Sequence, residues 1–83
     1  MFFFYILWSE SRNRFYVGHS EDLVDRLLRH NEGRSKATKG GEPWILMYRE
    51  EFLTKQLAVH RELEIKSWKS SARIREVIRE RPA

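Results

Sequence analysis

Eighty-three residues form one domain, residues 1–83, because so short a chain buries only about 60% of the surface its unfolded form exposes and cannot divide that between two cores. Hydrophobic residues make up 41%, with five Phe, three Tyr and three Trp, which excludes a disordered tail, while interspersed charge excludes a membrane span. Cysteine is absent, which excludes disulfides and thiolate-bound zinc, and 16 Lys and Arg against 12 Asp and Glu leave a formal charge of +4.

In chain order, residues 2–8 predict a strand: aromatic and branched side chains dominate, and nearly continuous apolarity implies cover on both faces. Tyr5 then shares a face with Phe3 and Leu7. The opening apolar run lacks a basic leader and meets Glu10 at once, so it is expected to be a strand of an intracellular, cytoplasmic protein rather than a signal peptide. Residues 9–14 form a polar turn, and Phe15-Tyr16-Val17 starts a second strand ending at Gly18, the two making an antiparallel hairpin.

Ser20 is expected to cap the first helix, with Glu21 and Asp22 in its first turn. Leu23, Val24, Leu27 and Leu28 form an apolar stripe about 140° wide, flanked by Arg26 and His30, four residues apart and directed to one region. Gly33 ends that helix, and residues 34–42 are loop by composition. Trp44 to Tyr48 begins a third strand that runs toward Phe52. Thr54 caps a second long helix to about Trp68, with Leu57, Ala58, Ile65 and Trp68 inward. Ser70 or Ser71 caps a last short helix with Ile74, Val77 and Ile78 inward, limited by Pro82. The fold class is therefore α+β, a small three-stranded antiparallel sheet flanked by two long helices and a short C-terminal helix.

The charge is unevenly placed: residues 1–33 hold four basic and five acidic side chains, and residues 34–83 hold twelve and seven. A basic second half suits contact with phosphates. Tyr5, Tyr16 and Tyr48 fall one on each strand, where each is either a core residue or one of two phenols converging with Arg26 and His30. Glu62 projects about 40° from Ala58 and 60° from Ile65, where a carboxylate needs a partner: either Lys66 at i+4 or a hard metal ion. Lys36 and Lys39 with Gly40 and Gly41 make a flexible basic loop, either a solvated connector or a contact for a sugar–phosphate backbone. Trp8, Trp44 and Trp68 are core residues unless exposed enough to stack on bases.

Phosphodiester cleavage requires a nucleophile made from water, charge stabilisation on phosphate and help for the leaving oxygen. A single carboxylate can hold Mg²⁺ when water and substrate oxygens complete its octahedron, and an arginine can grip phosphate in a bidentate fashion.

Phe3-Phe4-Tyr5, Tyr16-Val17-Gly18-His19-Ser20, Asp22-Leu23, Arg26-Leu27, His30-Asn31 and the run from Arg61 to Lys69 together resemble the GIY-YIG nuclease domain, in its small single-domain bacterial branch, over about residues 3–78. Phe3-Phe4 replaces the glycine-isoleucine start of the first motif. The resemblance implies a metal-dependent endonuclease, directed by substrate shape, using Mg²⁺ or Mn²⁺. Tyr16 would be general base or water-orienting phenol, assisted by Tyr5. Arg26 would stabilise the scissile phosphate, Glu62 would ligate the metal, and His30 would be hydrogen-bond partner or proton relay. Gly18 would let the backbone pass close to the site, and Lys36, Lys39 and Lys66 would contact nucleic acid. The implied partner is nucleic acid, DNA ahead of RNA, as in DNA repair, with no membrane, a protein partner that selects substrate, and a monomer or weak homodimer. The alternatives are a nucleic-acid binding module without efficient catalysis and a partner-dependent interaction domain.

Overall fold

The computed structural model describes residues 1–80. β1 (Phe2–Ser9), β2 (Arg14–Ser20) and β3 (Trp44–Phe52) form one antiparallel sheet in the order β2-β1-β3. Helix α1 (Leu23–Asn31) lies between β2 and β3, and α2 (Lys55–Trp68) and α3 (Ser71–Glu80) follow β3. At ten residues α3 is longer than α1, which has nine. The expected stop at Pro82 lies outside the described residues.

The apolarity of β1 follows from its central place. Phe4 and Ile6 face one side, with Val17, Tyr48 and Ile65, under α2 and α3. Tyr5 and Leu7 face the other, with Leu23 and Trp44, under α1. Phe4, Ile6 and Leu7 are fully buried, each contributing about 1.5–3 kcal/mol over an exposed position. Phe4, standing where the first motif departs from its usual start, packs edge-on against Tyr48.

Four expectations need correction. β2 does not stop at Gly18 but pairs with β1 as far as Ser20, because Gly18 sits opposite Tyr5 and makes room for it. The α1 cap is consequently Asp22, whose side chain accepts from the Asp25 amide at 3.0 Å, while Ser20 is a buried strand residue. The buried face of α1 carries Leu23, Arg26, Leu27 and His30, whereas Val24 is 81% exposed and Leu28 51%. Leu57 is half exposed, so α2 buries only Ala58 and Ile65 fully. The Thr54 cap and the Ser70 contact to the Arg73 amide are as expected, and Ile74, Val77 and Ile78 pack on the core.

Residues 34–42 are less free than their composition predicts. Thr38 is buried and its carbonyl accepts from Trp44 Nε1 at 3.0 Å, while Ser9 Oγ donates to the Gly41 carbonyl at 2.5 Å. Asn31 closes the far side, its side chain bonding both the amide and the carbonyl of Trp44.

Candidate active site

The site begins with a register. Tyr5 and Gly18 are paired across β1 and β2, and Leu7 and Tyr16 two positions on, so both phenols lie on the α1 face. A Cβ on Gly18 would stand 2.6 Å from Tyr5 Oη and 2.8 Å from its Cζ. Glycine is required here because the phenol lies over the neighbouring backbone. From that seat Tyr5 Oη reaches His30 Nε2 at 3.0 Å, and His30 Nδ1 reaches Thr38 Oγ1 at 2.7 Å. Tyr5 and His30 are each 1% exposed, so the relay is sealed from water.

Burial dominates the electrostatics of that pair. It raises the Tyr5 pKa well above the usual phenol value; Tyr16 and Glu62 raise it further, and Arg26 works in the opposite direction. Burial lowers the His30 pKa, and the positive Arg26 lowers it further. At neutral pH the relay therefore contains a neutral phenol and a neutral imidazole. A neutral imidazole has one donor and one acceptor nitrogen, so Tyr5 and Thr38 bond it in opposite senses, one donating to the ring and the other accepting from it.

Around this core are groups that meet solvent. Tyr16 is half-buried, its ring edge-on to His30 at 5.0 Å and to Trp44 at 6.2 Å. It lines a hollow of about 370 Å³ with Arg14, Lys66 and Lys69. Arg26 lines a second hollow of about 270 Å³ with His19, Ser20 and Lys55. Both hollows lie along β2, an edge strand, to either side of Gly18 in sequence.

Glu62 belongs to α2, on the other sheet face, and is joined to both hollows by its partners. His19 Nδ1 lies 2.7 Å from Glu62 Oε1, and Lys66 Nζ donates to Oε2 at 2.6 Å. The expected i+4 pair is thus present, together with a partner from β2. The Glu62 side chain is 14% exposed, and its charge acts on the Tyr5 phenol from across the strand. The edge strand is narrow enough for groups from opposite faces to approach one another around it.

Among the described residues no three His, Cys, Asp or Glu side chains gather into a metal-binding group. A hard cation that keeps most ligands as water or substrate oxygen, as Mg²⁺ and Mn²⁺ do, needs a single carboxylate, and Glu62 meets that need where the cation takes the place of the Lys66 ammonium on Oε2. Glu62 would hold it.

Tyr5, Tyr16, Arg26, His30 and Glu62 are therefore gathered around the Gly18 segment of β2. Lys66 joins them, but Lys39 lines a different hollow with Glu32 and Glu42, and Lys36 is an exposed loop residue. Tyr48 stands on the opposite sheet face, bonded to Glu50. Trp44 is buried, while Trp8 and Trp68 carry the guanidinium groups of Arg75 and Arg73 on their faces, so none offers a bare stacking surface. Sequence reasoning missed two members, His19 and Thr38. His19 was legible from strand alternation, two positions beyond Val17 on the α2 face; Thr38 lies in a loop whose sequence has no periodicity to read.

Residues 1–75 match the GIY-YIG catalytic domain family. The chain is 39% identical over 67 residues to a UPF0213 protein of Staphylococcus aureus, covering 80% of each chain. It is 38% identical over 61 residues to one of Staphylococcus saprophyticus, covering 72% of this chain and 74% of that protein. A UPF0213 protein of Bacillus halodurans, solved by NMR in solution, superposes with a TM-score of 0.62 at 26% identity, over 98% of this chain and 86% of that one. The chain belongs to the GIY-YIG family, a nuclease family whose members generally depend on a divalent metal.

Proposed function

From that membership we propose that the chain is a divalent-metal-dependent endonuclease that hydrolyses phosphodiester bonds, with DNA ahead of RNA as substrate. The observation that carries the reading is the convergence of Tyr16, Arg26 and Glu62 on the Gly18 segment of an edge strand, with two open hollows beside it. An edge strand leaves one side free for a polymer to approach.

In this reading Arg26 binds the scissile phosphate, its planar fork matching two phosphate oxygens and opposing the charge that develops there. The Tyr16 hydroxyl orients the attacking water by hydrogen bonding. Tyr5 and His30 do not meet substrate; they hold the Tyr16 ring and the α1 flank in place, the neutral imidazole being locked between Tyr5 and Thr38. Glu62 would hold the divalent ion, which when bound polarises a phosphate or leaving-group oxygen. His19 fixes the carboxylate's orientation from β2. In this reading the site meets its substrate through backbone phosphates and shape.

A second reading, nucleic-acid binding without efficient turnover, is favoured by one observation: both oxygens of Glu62 are engaged, by His19 and by Lys66. A panel of nicked, branched, single-stranded and RNA substrates, assayed with Mg²⁺, Mn²⁺ or chelator, separates the two. The endonuclease reading expects cleavage that chelator abolishes and that Glu62→Ala removes while binding persists. Undiminished cleavage by Glu62→Ala overturns the role of Glu62, and binding without cleavage in any metal establishes the second reading.

A further inference from the structure

The hollow beside Tyr16 has a chemistry the proposed hydrolysis does not use. Its lining comprises Arg14 from β2, Lys66 and Lys69 from the end of α2, and the apolar floor of Val17, Ile65 and Ile74, with no carboxylate. Arg14 and Lys69 make no ion pair with any described residue. Arg75 adds a further cation at the rim, 5.2 Å above the ring of Phe15, which also lines the hollow.

Lys69 carries a second signal. It is the C-cap of α2 at φ 51° and ψ 38°, the left-handed conformation in which a side chain is penalised and glycine is not. Helix termination alone would be better served by glycine. A lysine here places a cation at the corner between α2 and α3, over the hollow, at a cost to the fold.

The aromatic groups nearby are already committed. Trp8 and Phe15 pack against each other at 4.7 Å with their planes tilted by 53°, Arg75 lies 5.2 Å over both, and the Tyr16 ring is engaged edge-on by His30 and Trp44. What remains to recognise a ligand is positive charge spaced along an open groove, which matches a sugar–phosphate backbone and carries no sequence information.

We propose that the groove between β2 and the α2–α3 corner is a backbone-binding track that carries the nucleic-acid strand away from the site, with Lys69 as a dedicated phosphate contact. This deepens the proposed function and rests on it for the direction of the strand. The track contacts phosphates independently of base identity.

The test is fluorescence anisotropy of the full chain with a labelled 20-base-pair duplex, in chelator to prevent turnover, across a series of KCl concentrations. Lys69→Gly removes charge and backbone penalty together; Lys69→Gln removes only the charge. Both are expected to weaken binding several-fold and to lower the slope of log K against log salt by about 0.9, one phosphate contact. Lys69→Gly is also expected to unfold at equal or higher urea than the parent. Arg29→Gln, which takes the same charge from the outer side of α1 where Arg29 pairs with Asp25, should leave the slope unchanged. Parental affinity and slope in both Lys69 variants overturn the track, as does equal loss in Arg29→Gln or absence of salt-dependent binding by the parent. Loss of binding in the Lys69 variants alongside a parent that cleaves nothing supports the track and removes only the hydrolysis.

Discussion

Gly18→Ala is the substitution that most directly tests how the site is assembled. The new Cβ would lie 2.6 Å from Tyr5 Oη and 2.8 Å from Cζ, so the ring must retreat by roughly 0.8 Å to reach ordinary contact. It has nowhere to go. Tyr5 is buried among Leu7, Leu23 and Trp44, and its hydroxyl bond to His30 is 3.0 Å long, a distance such a retreat would break. Overpacking costs about 1–3 kcal/mol and stranding a buried hydrogen-bond partner about 1–3 more. Replacing a strand glycine by alanine returns about 0.5–1 kcal/mol. The net expectation is a loss of about 1–5 kcal/mol, read from urea unfolding followed by tryptophan fluorescence, or a fall in Tm of about 4–8 °C per kcal/mol. The same substitution made in a Tyr5→Phe background should cost about 1 kcal/mol less, because the nearest clashing atom is gone. A loss under 0.5 kcal/mol, or an equal loss in both backgrounds, would refute the account of Gly18 as the seat of Tyr5.

The other expectations follow from the same contacts. His30 is held neutral, its pKa below the unfolded value near 6.5, so the stabilisation is complete above that pH and is lost as pH falls through it toward the folded pKa. Urea midpoints measured from pH 8 to pH 5 should decline for the parent and flatten for His30→Gln. Tyr5 is shifted in the opposite direction, so its contribution is intact below pH about 10 and drains away above it, an alkaline limb that Tyr5→Phe should blunt in far-UV circular dichroism. Glu50→Ala leaves the Tyr48 hydroxyl and the Arg61 guanidinium without their shared partner, for about 1–2 kcal/mol in chemical unfolding, while nucleic-acid affinity stays within twofold of the parent. Val24→Lys, on the exposed side of α1, should change stability by less than about 0.5 kcal/mol; a large loss would place that residue in a core the structure denies it.

That last residue shows where the sequence could and could not be read. The strands were legible because alternation and aromatic content are local, and the apolarity of β1 on both faces called for cover on both, whereas the order β2-β1-β3 had no local signal. The inner face of α1 was not, because the apolar stripe predicts Val24 and Leu28 inward while the helix turns Arg26 and His30 there instead. Periodicity assumes that burial follows hydrophobicity. A helix that presents an imidazole to a buried phenol breaks the assumption at the site itself. Gly18 reads as a strand end for a related reason: glycine usually punctuates a strand, whereas here it makes room for a neighbouring ring in mid-strand. The Thr38 contact had no local signature at all, since it depends on how a loop folds back over α1.

These departures share one physical origin. Two helices pack on opposite faces of the sheet, so residues from α1 and α2 can approach each other only around an edge. β2 is that edge, and Gly18 is the point along it with no side chain in the way. Arg26 had to turn inward on α1, and Glu62 to lie at the flank of α2 beside His19, for their charges to act around the same strand, while His30 turns in as the neutral partner of Tyr5. The polar inner face of α1 and the absence of a continuous apolar stripe on α2 are then consequences of placing one site across a two-sided sheet. Stability rests on the two cores either side of β1, which Val17, Leu23, Trp44, Tyr48 and Ile65 complete from β2, α1, β3 and α2.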